Sequence, residues 1–230
     1  RIGETLSVGN VGGSAAADLL IGAPMADPLG RTDAGAGYAV FGGTTGTVDL
    51  ALGADVVVLG GAAGDGAGRS IIAANANELV VGADGRGSVY VVSGSSDLST
   101  TYSSRVDQPV AGEGLGGAAA FDGALLYVSA PLADLGSRVD CGMVYGLAPT
   151  AGVKSLSDPT TWTVRYDGSA KGSGFATLFA LADLNGDGVQ DVVAGSPKED
   201  RNGRLASGSV HVIFGGSWLA ASQSLSLDAP

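Results

Sequence analysis

The chain has 230 residues, a formal net charge of −11 and 45% apolar residues, a length and composition that suit one large β domain or two small ones with a real core. Twelve Lys and Arg against twenty-three Asp and Glu leave no basic footprint, so no nucleic-acid partner is expected. Forty glycines without a three-residue period exclude collagen, one cysteine (Cys141) excludes a disulfide scaffold, and no apolar run approaches the roughly 18 residues of a transmembrane segment.

The sequence opens at Arg1, already inside a repeat, with neither an initiator Met nor a signal-peptide pattern, as a processed or excised piece would. The first repeat, about residues 1–60, has an opening strand over Glu4–Gly9 and the phrase Asp18-Leu-Leu-Ile-Gly22-Ala23-Pro24. It continues with Gly37-Tyr-Ala-Val-Phe-Gly-Gly43 and a closing strand over Ala54–Leu59. The second, about 61–111, runs through Arg69–Ala74, Glu78-Leu-Val-Val-Gly82-Ala83-Asp84, Gly87-Ser-Val-Tyr-Val-Val-Ser-Gly94 and Tyr102–Val110. The third, about 112–168, runs through Gly117–Phe121, Leu126-Tyr-Val-Ser129-Ala130-Pro131, Gly142-Met-Val-Tyr-Gly146 and Thr161–Asp167. The fourth, about 169–230, runs through Phe175–Leu181, Asp191-Val-Val-Ala-Gly195-Ser196-Pro197, Gly208-Ser-Val-His-Val-Ile-Phe-Gly-Gly216 and Ser224–Leu227. Turn-bounded phrases returning every 47 to 66 residues mark a supersecondary array.

Each repeat therefore supplies four strands, A to D, with links short enough for an antiparallel meander. Strands B and C are apolar on both faces, as in Val89-Tyr90-Val91-Val92. A sheet lying outermost in a sandwich would alternate polar and apolar residues. Strands apolar on both sides suit sheets stacked face to face, which makes the predicted fold all-β, a β-propeller of four-stranded antiparallel blades. The alternative is an irregular β-sandwich.

Ahead of strand B in the fourth repeat stands Asp183-Leu184-Asn185-Gly186-Asp187-Gly188-Val189-Gln190-Asp191. Oxygen-bearing side chains at positions 1, 3, 5 and 9, with glycines between, form the pattern of a loop around Ca²⁺, a hard cation that takes six to eight oxygens. The candidate ligands are the side chains of Asp183, Asn185, Asp187 and Asp191 and the carbonyl of Val189. Ala194 at position 12 and a following strand distinguish the loop from an EF-hand. A metal-free Asx turn is the competing reading, since Asn, Asp and Gly also favour plain turns. The first repeat holds a worn copy, Asn10, Gly12, Ser14 and Asp18, with one carboxylate in place of three. Repeats two and three shorten the link to Asn75-Ala-Asn77-Glu78 and Asp122-Gly123-Ala124, too short to encircle an ion.

The Gly-Ala-Pro turns, the Phe-Gly-Gly strand ends and the Asp-x-Asn-x-Asp-Gly-x-x-Asp loop resemble FG-GAP repeats, strongly in repeats one and four and in degraded form in two and three. Those repeats build the seven-bladed propeller of integrin α subunits and of many bacterial surface proteins. The resemblance implies an extracellular or cell-surface propeller with structural Ca²⁺ in the A–B loops. It also implies a ring of about seven blades, with further blades from the same or another chain; closure as four is the alternative.

In a meander the B–C links lie on the face opposite the A–B links. The B–C links Met25–Ala36, Leu132–Cys141 and Lys198–Ser207 are the longest and most polar. With the short link Asp84–Gly87 they hold half of the basic residues. Arg31, Asp33, Arg138, Asp140, Lys198, Asp200, Arg201 and Arg204 thus mark a candidate face for a protein or glycan ligand, since function concentrates on loops held out by a rigid scaffold. Solvated, charge-balanced loops are the plain alternative.

No catalytic set emerges, so the chain is not expected to be an enzyme. His211 is the only histidine and lies in a strand, where packing against a neighbouring blade is the better reading. Zinc catalysis takes several His or Cys ligands, and Asp140 beside Cys141 blunts that thiol. Gly112-Glu-Gly-Leu-Gly-Gly117 lacks the Lys-Ser/Thr ending of a phosphate loop and reads as the turn into a strand. The aromatics Tyr102, Trp162, Tyr166 and Trp218 read as packing residues, with sugar stacking as the alternative. Three functions compete: a non-enzymatic, calcium-stabilised propeller for adhesion or scaffolding, a lectin-like propeller, and an accessory domain of a larger secreted enzyme.

Overall fold

Runs of Val, Ile, Leu and Tyr bounded by glycine become strands, because branched and aromatic side chains fit a pleated surface. The computed structural model describes residues 2–13, 15–216 and 223–226 and gathers these runs into four sheets. The first blade is an antiparallel meander of β1 (Thr5–Gly9), β2 (Asp18–Ala23), β3 (Ala36–Val40) and β4 (Val56–Leu59). The second takes β5 (Ala67–Asn75), β6 (Glu78–Ala83) and β7 (Ser88–Val92). Its chain then forms the short β8 (Ser96–Asp97), which pairs parallel with β4, before β9 (Ser104–Asp107) closes the blade.

The third blade is built from β10 (Ala119–Phe121), β11 (Leu126–Ala130), β12 (Met143–Leu147) and β14 (Val164–Asp167). Between the last two lies β13 (Gly152–Ser155), which sits beside β9 in the second sheet. The fourth holds β15 (Leu178–Ala182), β16 (Asp191–Ser196) and β17 (Ser209–Ile213). The architecture is that of a β-propeller, almost wholly β, with four blades.

One strand differs from expectation. The segment predicted to close blade four appears as β18 (Gln223–Ser226), and it pairs parallel with β14 of blade three; Leu227 lies outside the described residues. The reason is a rule the sheets share. An edge strand presents unpaired N–H and C=O groups that recruit another strand. The C–D link of blade two supplies β8 to blade one, that of blade three supplies β13 to blade two, and that of blade four supplies β18 to blade three. Blade four consequently has three strands among the described residues.

The chain divides into two compact units, residues 1–107 with 149–154 and residues 108–148 with 155–230, each carrying two blades. In the first unit Leu20, Ala39, Val56 and Val58 of blade one pack with Ile71, Val81, Tyr90 and Val92 of blade two. In the second, Tyr127, Val144, Val164 and Tyr166 meet Phe175, Val192, Ala194 and Ile213. Every residue of β7 and β12 is buried. Each such Val, Leu or Tyr contributes about 1.5–3 kcal/mol relative to exposure, so stacking of blades supplies the core.

A short strap leads into the second blade of each unit. In unit one Gly64, Gly66 and Ala67 donate their N–H groups to the carbonyls of Thr32, Asp33 and Ala34 at 2.9, 3.1 and 2.9 Å. In unit two Gly172, Gly174 and Phe175 donate to Val139, Asp140 and Cys141 at 2.8, 3.1 and 3.1 Å. The B–C loop of one blade thus holds the entrance of the next.

Candidate metal loop and the B–C loops

The loop between β15 and β16 is organised by its own acidic side chains. Asp183 accepts hydrogen bonds from the N–H groups of Gly186, Asp187 and Gly188 at 2.7, 3.2 and 2.9 Å. Asn185 Oδ1 accepts from Asp187 N–H at 2.9 Å, and Asp187 Oδ1 from Val189 N–H at 2.8 Å. Asn185 Nδ2 donates to Asp187 Oδ2 at 3.0 Å. Asp183, Asn185, Asp187 and Val189 are exposed, whereas Asp191 is fully buried. None of the three carboxylates is in an ion pair among the described residues.

Asp191 also joins two segments of blade four. Its carboxylate accepts from Leu184 N–H and from Gly215 N–H, each at 2.8 Å. One side chain therefore ties the start of the A–B loop to the end of strand C. Blade one repeats the device. Asp18 accepts from Val11 and Gly12 at 2.7 and 3.0 Å and from Gly42 at 2.8 Å. Burial pushes the Asp18 carboxyl up, and the hydrogen bonds from Gly42, Val11 and Gly12 outweigh it, holding it below the usual carboxylate range. Gly42 and Gly215 are the glycines that follow Phe41 and Phe214. A Cβ at Gly42 would press on the Ala17 carbonyl, and one at Gly215 on the Gln190 carbonyl. The Phe-Gly phrase thus records a close approach of strand C to the loop that its aspartate holds.

In the worn loop of blade one, Asn10 Oδ1 accepts from Gly13 N–H at 3.1 Å, and Ser14 lies outside the described residues. Among the described residues no group of three or more His, Cys, Asp or Glu side chains is drawn together as a metal cluster. The donor set of residues 183–191 is nevertheless all hard oxygen: three carboxylates, an amide oxygen and a main-chain carbonyl.

The B–C loops of blades one, three and four share one conformation. Asp27, Asp134 and Asp200 each accept from the N–H group six residues on, at Asp33, Asp140 and Ala206 (2.7, 2.8 and 2.6 Å). Asp33, Asp140 and Ala206 have φ of 51°, 52° and 46°. Arg31 clamps Asp97 with two hydrogen bonds of 2.8 and 2.9 Å and donates to the Gly60 carbonyl at 2.7 Å, pinning β8 against blade one. The Arg31 guanidinium holds the Asp97 carboxyl well below the usual range. Arg138 holds the Gly168 carbonyl at 3.0 Å. Arg201 pairs with buried Glu199 at 2.9 Å. Lys198, Asp200 and Arg204 are exposed. In unit two, residues 168–174 run between the two B–C loops and bond to both, through Gly174 N–H to Asp140 and Lys198 N–H to Ser173. Arg31 and Arg138 are thus engaged in holding strands, a use the charge pattern did not reveal.

His211 stacks edge-on against Phe175, with ring centres 5.6 Å apart, and its Nε2 lies 2.9 Å from Glu199. These partners belong to blade four itself, the strap and the B–C loop, rather than to the neighbouring blade that its strand position suggested. Burial pushes the Glu199 carboxyl up, but hydrogen bonds from Ser209 and His211 and the charges of His211 and Arg201 hold it below its ordinary value. Cys141 is fully buried, its Sγ 3.4 Å from the Ala133 carbonyl, and burial raises its pKa. Trp162 packs on Tyr145 with Arg165 over its ring, and Tyr102 packs on Tyr90 with Arg105 over its ring. Trp218 lies outside the described residues.

No helix among the described residues is long and apolar enough to cross a membrane. Residues 175–213, from the strap of blade four through β17, match the FG-GAP repeat family. No curated protein matches the chain.

Proposed function

We propose that this FG-GAP repeat chain is a non-enzymatic, calcium-braced β-propeller of the extracellular or cell-surface kind that acts in adhesion or protein–protein scaffolding. The observation that carries the metal is the donor set of residues 183–191. Three carboxylates stand within nine residues, and among the described residues no cationic side chain pairs with any of them. Ca²⁺ is the cation that takes many oxygens in a flexible arrangement. Asp183, Asn185, Asp187, Asp191 and the Val189 carbonyl would hold it. Its contribution would be charge neutralisation that fixes the loop between β15 and β16, and no chemistry is asked of it.

The absence of catalysis rests on the chemistry of particular groups. His211 is committed to Glu199 and Phe175, and Cys141 is buried with a raised pKa. A propeller is instead a rigid mount for loops, and loops so mounted commonly bind. Asp33, Asp140, Lys198, Asp200 and Arg204 are exposed charges of the B–C loops, through which a protein ligand would be met. A lectin role has less support, because Trp162 is buried and Tyr102 is packed on Tyr90.

The test is calorimetric. EDTA should lower the melting temperature of the parent chain, and Ca²⁺ should restore it. Asp187→Ala should melt at one temperature in both conditions. An EDTA-insensitive parent would remove calcium from the account.

A further inference from the structure

We propose that Asn202 is a self-modification site, at which the main-chain nitrogen of Gly203 attacks the Asn202 side chain and converts the residue, through a cyclic imide, into isoaspartate and aspartate. The chain has two Asn-Gly pairs, Asn185-Gly186 and Asn202-Gly203. Glycine after asparagine leaves the attacking nitrogen unshielded, because no Cβ stands beside it. Nucleophile and carbonyl belong to one dipeptide, so the attack is intramolecular and needs only the right approach. The structure treats the two pairs in opposite ways.

In the loop between β15 and β16 both reacting groups are occupied. Gly186 N–H donates to Asp183 Oδ1 at 2.7 Å, which commits that nitrogen to the aspartate. The Asn185 amide is held at both ends, its Oδ1 accepting from Asp187 N–H at 2.9 Å and its Nδ2 donating to Asp187 Oδ2 at 3.0 Å. At the tip of the B–C loop of blade four the second pair is open. Asn202 and Gly203 form a turn between Arg201 and Arg204, which exchange hydrogen bonds of 3.2 and 2.9 Å as an isolated bridge. Neither the Asn202 amide nor the Gly203 N–H has a hydrogen-bond partner among the described residues. Both residues are exposed, and a Cβ built on Gly203 would meet nothing within 4 Å. Solvent base therefore reaches the Gly203 N–H. A bridge one pair long at an exposed tip opens locally at small cost, which frees the side chain to approach the nitrogen.

The steps balance with water as the one co-reactant. Gly203 N gives up its proton and bonds to Asn202 Cγ. The Cγ–Nδ2 bond breaks, and Nδ2 leaves as ammonia with that proton. Water then opens the imide, at the former main-chain carbonyl to give isoaspartate or at Cγ to give aspartate. Either product sets a carboxylate between Arg201 and Arg204. Isoaspartate also adds a methylene to the main chain, which breaks the register of the Arg201–Arg204 bridge. The modification thus changes the charge and shape of this loop at one point.

The test holds the whole folded chain at mildly alkaline pH and follows it by peptide mapping in a mass spectrometer, with isoaspartyl carboxyls counted by enzymatic methylation. Residue 202 should convert about tenfold or more faster than residue 185, a difference of the kind that local protection gives. In urea the two should convert at similar rates. Asp183→Ala, which releases Gly186 N–H, should speed conversion at residue 185 in the folded chain and leave residue 202 unchanged. Asn202→Gln should remove the methylation that maps to this loop. An unconverted residue 202, or equal conversion at the two residues in the folded chain, overturns the proposal. If Asp183→Ala unfolds the chain, the parent compared with and without urea still decides.

Discussion

Asp18 and Asp191 stand at the last position of their A–B loops, where a calcium loop takes a carboxylate ligand. Both are fully buried, and both carboxylates accept from the loop ahead of them and from a glycine at the end of strand C. A carboxylate that accepts from backbone N–H groups in a buried setting is a structural anchor, with or without an ion. Asp191→Ala strands the N–H groups of Leu184 and Gly215, and hydrogen bonds to charged groups are worth about 1.5–3 kcal/mol each. The expected cost is about 3 kcal/mol in urea denaturation, present in EDTA as well as in Ca²⁺, whereas Asp187→Ala should cost little in EDTA. Gly22 gives a second residue-scale contrast. Its side-chain space is filled by the Gly68 carbonyl and Thr5 Oγ1, so Gly22→Ala should destabilise the chain by about 1–3 kcal/mol through overpacking, read in the same urea titration.

At the level of elements, the B–C loop of blade four is held by Glu199, which accepts from Ser209, faces His211 and Arg201, and lies 3.5 Å from Ser169 Oγ. Its folded pKa is depressed from the ordinary 4.5. A depressed carboxyl contributes stability that is fully present above its ordinary value and is lost as pH falls through the folded one. The parent's melting temperature should therefore drop below about pH 4.5, and Glu199→Gln should flatten that part of the curve while lowering the plateau above it. Melting curves across pH 3–7 decide it. The meander strands A to C were readable because glycine turns and doubly apolar runs announce them, with boundaries off by one to three residues. β8 and β13 were not readable as strands, and β18, expected as a strand over Ser224–Leu227, was assigned to the wrong blade. They have two to four residues, no apolar pattern, and are strands only because an edge lies beside them. Ser224–Leu227 looked like a fourth strand of blade four because nothing local distinguishes strand D from such an edge addition. The calcium pattern was plain in residues 183–191, but the anchoring by Asp191 depends on Gly215, 24 residues away. No local pattern reports a contact of that kind.

Within each unit, stacking of its two blades leaves an apolar flank. On blade one Leu6 and Val8 are 64% and 72% exposed, on the side away from the face that Thr5 and Ser7 turn to blade two. On blade four Leu178, Val210, Val212 and Phe214 are exposed on the side away from the face that Phe179 and Ile213 turn to blade three. Interior strands of this fold are apolar on both faces because both are covered, so an uncovered face keeps the composition of an interior one. Exposed apolar patches of this sort drive association. Replacing Val210 and Val212 together by Lys removes the patch while touching no buried contact. The double variant should melt at the parent's temperature within about 0.5 kcal/mol of stability, as surface substitutions do. It should bind less of an apolar reporter dye and sediment with less concentration-dependent association than the parent. A large loss of stability would mean that the two valines are covered in the folded chain. Unchanged dye binding would place the sticky surface elsewhere, with Leu6 and Val8 of blade one as the next site to charge.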